Sequence, residues 1–200
     1  MKPSKLLKLV KSELGEFTER LGFEYYVEGF RRQLDTSILQ MFRFGMDHYD
    51  KSFFWVLCAL DSTAVSPDAQ GKTWLYGEYL KPNLTWDRNH TQWNCADEET
   101  ARQSLRFLRT AIQPVIVPWM EAHSTATQLA DCIRSPARGL WLATLYLYDR
   151  NFKKVKEALF LHRKELMARP AWVTTERFAS ELAENEALML KAESLEGQSP

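Results

Sequence analysis

Asp47-His48-Tyr49-Asp50 is the one dense run of acid–base and metal-ligating side chains in the chain. A histidine beside a carboxylate is the pair that moves protons at neutral pH, because imidazole titrates there and the carboxylate orients it. The run falls between two apolar stretches, where polar residues collect for turn geometry alone, so it reads as a hairpin tip. The other histidines, His90, His123 and His162, are scattered, with no HxxxH or HxH spacing to put two ligands on one element. Cys58, Cys95 and Cys132 are too far apart for a CxxC-type zinc site, and their odd number argues against a disulfide framework. Cys58 sits between Leu57 and Ala59, where a small buried cysteine is expected; Cys95, nearer a strand end, reads as exposed. There is no GxSxG elbow, phosphate loop or GxGxxG, and glycines are few. No catalytic residue, metal or cofactor is therefore expected. The enzymatic alternative is a pocket built from Arg31, Arg43, His48 and Cys95.

A second pattern is richer. Arg31, Arg32, Arg43 and Arg88 interleave with Tyr25, Tyr26, Phe42, Trp74, Trp86 and Trp93. Arginine among aromatic rings makes hot spots at protein interfaces, stacks bases in single-strand binders, or lies at the rim of an ordinary core. Lys and Arg total 26 against 26 Asp and Glu, so the formal net charge is zero and nucleic acid is the least favoured partner. The partner surface expected from this pattern is Arg43, Trp74, Tyr76, Trp86, Arg88 and Trp93, facing a protein.

The elements that must carry these residues follow from periodicity. Residues 4–21 read as a helix with a stripe of Leu7, Val10, Leu14, Phe17 and Leu21, Ser4 as its N-cap and Gly22 at its end. Phe23–Val27, Gly29–Leu34, Ser37–Phe44 and Lys51–Asp61 read as strands, separated by Glu28-Gly29, Leu34-Asp35-Thr36 and the tip after Phe44. Phe53–Leu60 is apolar at both alternate sets of positions, so both faces of that strand must be covered or one must be offered to a partner. Ser62–Gly71, with Ser66-Pro67-Asp68, reads as a loop. Trp74–Leu80 and Thr85–Trp93 read as two further strands. Asp97-Glu98-Glu99-Thr100 opens a helix with Ala101, Leu105, Leu108 and Ile112 inward. Pro114 ends or kinks it, and Pro118-Trp119 begins another.

Beyond Ser124 the pattern is helical throughout. Ser135-Pro136 signals a helix to Tyr148, with Leu140, Trp141, Thr144, Leu147 and Tyr148 inward. After the turn Asp149-Arg150-Asn151, a second helix carries Phe152, Val155, Leu159 and Leu166 on one face and stops at Pro170. A last helix spans about 175–195 with Phe178, Leu182, Leu188 and Leu195. The expected fold is α+β: residues 1–122 form an antiparallel sheet flanked by helices, and residues 123–200 a helical hairpin extension packed on it. No apolar run has the length of a membrane span or a signal peptide, which points to a reducing cytoplasm.

Helix, then Leu21-Gly22-Phe23, then Phe30-Arg31-Arg32 in an early strand, then the hairpin of Ile38–Phe44 with Phe53–Leu60: this order resembles the bacterial family catalogued as domain of unknown function 4304. Trp93 before an acidic helix start and Pro118-Trp119 after that helix extend the likeness over roughly residues 1–122. Phe44-Gly45-Met46 stands where that family has a glutamine-lysine-serine pattern. The family supplies no catalytic residues to carry over. The general build also resembles immunity proteins of bacterial polymorphic toxin systems, which act by stoichiometric binding. The resemblance implies a non-enzymatic protein whose partner is a cognate toxin domain.

Overall fold

The computed structural model describes residues 1–34, 36–65, 74–87, 89, 91–133, 138–168 and 175–198. Asp35 in the expected turn, Ser66-Pro67-Asp68, Arg88, His90, Ser135-Pro136 and Pro170 lie outside them. The chain divides into two compact units, one of Met1–Thr63 with Asp68–Ser124 and one of Ala64–Pro67 with Thr125–Pro200. The fold is α+β.

The first unit opens with α1 (Pro3–Glu19). Lys2, not Ser4, precedes it, because Pro3 fills the first helical position, where a missing N–H is no loss. Its buried line is Leu6, Leu9, Val10, Leu14 and Thr18, with Leu7, Phe17 and Leu21 only partly buried. Thr18 can sit in this stripe because its hydroxyl donates back to the Leu14 and Gly15 carbonyls. Gly22, at φ +81°, then turns the chain into the sheet, as only glycine does without strain.

Seven strands follow: β1 (Glu24–Tyr26), β2 (Gly29–Gln33), β3 (Ile38–Met46), β4 (Phe53–Ser62), β5 (Tyr76–Leu80), β6 (Trp86–Asp87) and β7 (Trp93–Asn94). They pair antiparallel in the order β1-β2-β3-β4-β5-β6, with β7 on the Phe53 end of β4. The strand expected over Thr85–Trp93 is thus two short pieces serving different neighbours. Thr91 and Trp93 both donate from their side chains to the carbonyl of Leu80, the last residue of β5, while the backbone of Trp93 and Asn94 pairs with Phe54 and Phe53 of β4.

On one face Phe30, Phe42, Phe44, Phe54, Val56, Cys58 and Leu80 form the main core with α1 and α2 (Glu98–Ala111). On the other, Leu39, Met41, Leu57 and Ala59 are buried, with Trp55 and Tyr79 packed against them. Both faces of β4 are out of water, which accounts for its unbroken apolar run. Asp97 caps α2 in a capping box with Thr100, and Ala101, Leu105, Leu108 and Ile112 are fully buried, as their spacing predicts.

The helix does not end at Pro114. It passes through a π-helical turn (Ile112–Ile116), in which the Val117 N–H reaches the Ile112 carbonyl, and continues as α3 (Val117–Glu121). The wider turn removes the collision between the proline ring and the carbonyl four residues back.

The second unit contains α4 (Ala126–Cys132), α5 (Gly139–Tyr148), α6 (Phe152–Met167) and α7 (Thr175–Glu196). Arg150, at φ 55°, makes the tight turn between α5 and α6, and Asn151 caps α6. Val155, Leu159 and Leu166 are buried as expected. Trp141 and Tyr148 are not inward: they are 43% and 50% exposed, and Ala143, Leu145, Tyr146 and Leu147 take the buried positions. Gly139 lies against His162, so closely that a Cβ there would fall 2.3 Å from the histidine's own. His162 and Asn185 form a buried polar pair at 3.1 Å between α6 and α7. No helix among the described residues is long and apolar enough to cross a membrane.

Candidate functional site

The residues singled out as a partner surface fall into separate places. Arg43 shares its face of β3 with Leu39 and Met41, pairs with Glu28 at 2.8 Å, and holds its guanidinium 5.3 Å from the centre of the Trp74 ring. Trp74 itself is 42% exposed. Tyr76 and Trp86 belong to the opposite, helix-covered face, because Tyr76 and Leu80 alternate along β5 and Trp86 pairs directly with Leu80. Trp93, also on that face, is only 2% exposed and stacks on Phe54, so it is a core residue rather than a surface one. Arg88 is outside the described residues.

Tyr76 and Trp86 are joined by a residue that the sequence pattern did not include. Trp119 lies between them, its ring centre 6.1 Å from that of Tyr76 and 5.0 Å from that of Trp86, with interplanar angles of 12° and 29°. His123 packs beside the stack, 4.9 Å from Trp119 and 5.9 Å from Tyr76. At the edges of the rings is Glu78, two residues along β5 from Tyr76 and on the same face. Its carboxylate accepts a hydrogen bond from the Tyr76 hydroxyl at 2.6 Å and another from the Trp119 indole N–H at 3.2 Å. All five side chains are only partly buried, so the cluster is ordered and still open to solvent.

Two features place Trp119 there. Gln40, fully buried in the row Gln40–Leu60–Tyr76 across three strands, donates to the Met120 carbonyl at 2.7 Å and pins the end of α3 to the sheet. The π-turn sets the rotation. Residues 101 and 119 are about five α-helical turns apart, so an uninterrupted α-helix would bring Trp119 directly under Ala101, into the core. The π-turn absorbs about one residue, or roughly 100° of helical phase. Ile116 and Met120 consequently take the buried positions, and Trp119 swings to the flank, over Tyr76 and Trp86.

The electrostatics of the cluster are those of an acceptor site. Glu78 lies across from Cys58, and its charge adds to burial in pushing that thiol well above its ordinary range. Among the described residues no cation pairs with Glu78. His123 holds Nδ1 2.6 Å from the Trp119 carbonyl, an acceptor only, so Nδ1 carries a proton and donates there.

The alternative pocket is not assembled. Arg31 pairs with Glu24 and stacks on Tyr26, and Arg43 is occupied as described. Cys95 is fully buried in the core of the opposite face, with Met46 sulfur and the Lys51 carbonyl as its neighbours, contrary to its expected exposure. Cys95 follows β7, whose pairing with β4 draws it inward. His48 is exposed in the hairpin tip. There the Asp47 carboxylate accepts from the Tyr49 and Asp50 N–H groups and the Asp50 carboxylate from Ser52, so both shape the turn.

A groove of about 570 Å³ between α1 and β1 is lined by Lys11, Glu16, Glu24 and Tyr25, but Glu16 and Glu24 already pair with Arg20 and Arg31. No protein-family model matches this chain, and neither curated proteins nor solved structures give a match.

Proposed function

We propose that this chain is a non-enzymatic binding protein, and that it serves as an immunity protein, neutralising a bacterial toxin in the cytoplasm by stoichiometric binding. The observation that carries the binding role is the Tyr76–Trp119–Trp86 stack. Aromatic side chains fixed in advance lose little conformational freedom on association, and tryptophan and tyrosine dominate interface energetics for that reason. Trp74 over Arg43, on the other face, has the same composition. The step from binding to immunity rests on the resemblance in element order and on the general build. The stack also argues against a nucleic-acid strand: a base entering it would bring its phosphates toward Glu78, and the chain has no excess of positive charge to offset that.

The partner to test first is the product of the reading frame immediately upstream. Its C-terminal domain, titrated calorimetrically with this chain, is expected to bind 1:1 and to lose its toxicity in co-expressing cells. Trp86→Ala with Trp119→Ala should weaken binding by about thirtyfold or more while the circular dichroism spectrum stays folded. No complex, or full affinity in the double variant, would overturn the proposal.

A further inference from the structure

We infer that the cluster around Glu78 is a receptor for a guanidinium group, the side chain of an arginine presented by the protein partner. The inference rests on the reading above only in naming a protein as the source of that group.

Every group the cluster offers is electron-rich. The Glu78 carboxylate has room for about four hydrogen bonds and receives one on each oxygen, from Tyr76 to Oε1 and from Trp119 to Oε2, which leaves an acceptor site on both. In its neutral form His123 adds a further acceptor at Nε2, since Nδ1 is the donor to the Trp119 carbonyl. The outer faces of Tyr76 and Trp86, on either side of Trp119, carry the negative side of the aromatic quadrupole. A half-buried carboxylate with no cation among the described residues is left for a partner to neutralise.

Shape selects among cations. A guanidinium is planar, stacks parallel to an indole and forks two N–H groups onto the two oxygens of one carboxylate, whereas an ammonium is a compact point donor that does neither. The near-parallel rings of Tyr76, Trp119 and Trp86 and the paired oxygens of Glu78 match the planar fork. The two donors already on Glu78 hold its carboxylate plane fixed, so its orientation is settled before the cation arrives.

The test uses the intact chain and single-residue probes. Nα-acetyl-arginine methylamide is titrated while the Trp119 indole N–H resonance is followed, with the citrulline derivative, its uncharged isostere, and the lysine derivative run in parallel. The expected result is a saturable shift with arginine, none with citrulline, and at least about tenfold weaker binding by lysine. Glu78→Gln, which keeps the side-chain shape, should abolish the arginine response; its melting temperature reports whether the fold is kept. An equal response to citrulline, an equal response to lysine, or no response to arginine in the unsubstituted chain would each overturn the inference without recourse to any variant.

Failure here and failure of the immunity role are separable. If Glu78→Gln binds the toxin domain at full affinity and arginine gives no shift, the receptor assignment falls and the binding role stands. An arginine-specific shift without any toxin complex has the opposite meaning.

Discussion

The Glu78 carboxylate lies over Cys58, and the pairing has consequences for both. The thiol is enclosed, and burial first, then the neighbouring negative charge, drives its ionisation upward. Cys95 is displaced the same way, first by burial, with the N-terminal amine opposing and the Asp50 charge adding to the rise. Since the thiolate is the nucleophile, both are inert at neutral pH. Cys132, partly exposed at the end of α4, is the accessible thiol. A maleimide added to the native chain at pH 7, followed by peptide mass spectrometry, should therefore label Cys132 to completion before Cys58 or Cys95 react. Labelling of Cys95 at the rate of Cys132 would contradict the structure and reopen the nucleophile reading. Residue type alone pointed to Tyr76 and Trp86 but misplaced Trp93, because a tryptophan's chemistry does not reveal where its N–H finds an acceptor. Here that acceptor is the Leu80 carbonyl at 2.7 Å, inside the core. Glu78, Trp119 and His123 were legible only in part. Positions 119 and 123 share a helical face, and Glu78 alternates with Tyr76, but nothing in the sequence says that the two elements meet.

Pattern was readable where it has contrast: α2 and the turn after it bury the four residues the spacing selects, Ala101, Leu105, Leu108 and Ile112, and the apolar runs of β3 and β4 form the expected hairpin. Periodicity fails where there is no contrast. The sequence of α5, Gly139–Tyr148, is apolar almost all round, so no stripe distinguishes Trp141 from Ala143. Proline marks the π-turn but does not reveal its width. The backbone does: the Val117 N–H reaches the Ile112 carbonyl, so one residue is absorbed and Met120 comes into line with Ala101. Replacing Pro114 and Pro118 by alanine should consequently leave the wide turn in place, with Trp119 still on Tyr76. Deleting Pro114 in the Pro118→Ala background removes the extra residue and should close an unbroken α-helix with Trp119 still in its position. That deletion should raise stability by about 1–3 kcal/mol, since interior prolines are the most unfavourable helix residues. Deleting Gln103 instead, from regular helix, shifts the phase of everything on one side of it and should cost more than about 3 kcal/mol through lost burial. Urea unfolding, with the Trp119 indole resonance as the local probe, distinguishes these outcomes. A destabilised Pro114 deletion, or one that loses that resonance, would mean that the turn does not act as a register correction.

At the scale of the whole molecule, the balance of charge limits how a partner can be met. With 26 basic and 26 acidic side chains the chain has no monopole to draw a charged partner from a distance. Beyond about 8–10 Å at physiological salt, screening removes most of what local asymmetry remains. A cation captured by Glu78 and the aromatic stack acts after contact, at short range and in a partly desolvated setting. Association should then run at the unsteered rate of about 10⁵–10⁷ M⁻¹s⁻¹. Between 50 and 500 mM salt that rate should change by less than about threefold, because steering is what salt removes. The contribution of Glu78 should appear in dissociation: Glu78→Gln should shorten the lifetime of the complex by about tenfold or more and leave association nearly unchanged. Stopped-flow mixing of the chain with its partner at the two salt concentrations, with and without the substitution, measures both quantities. An association rate that falls tenfold with salt would place the electrostatics in long-range encounter instead, carried by a local charged face rather than by net charge.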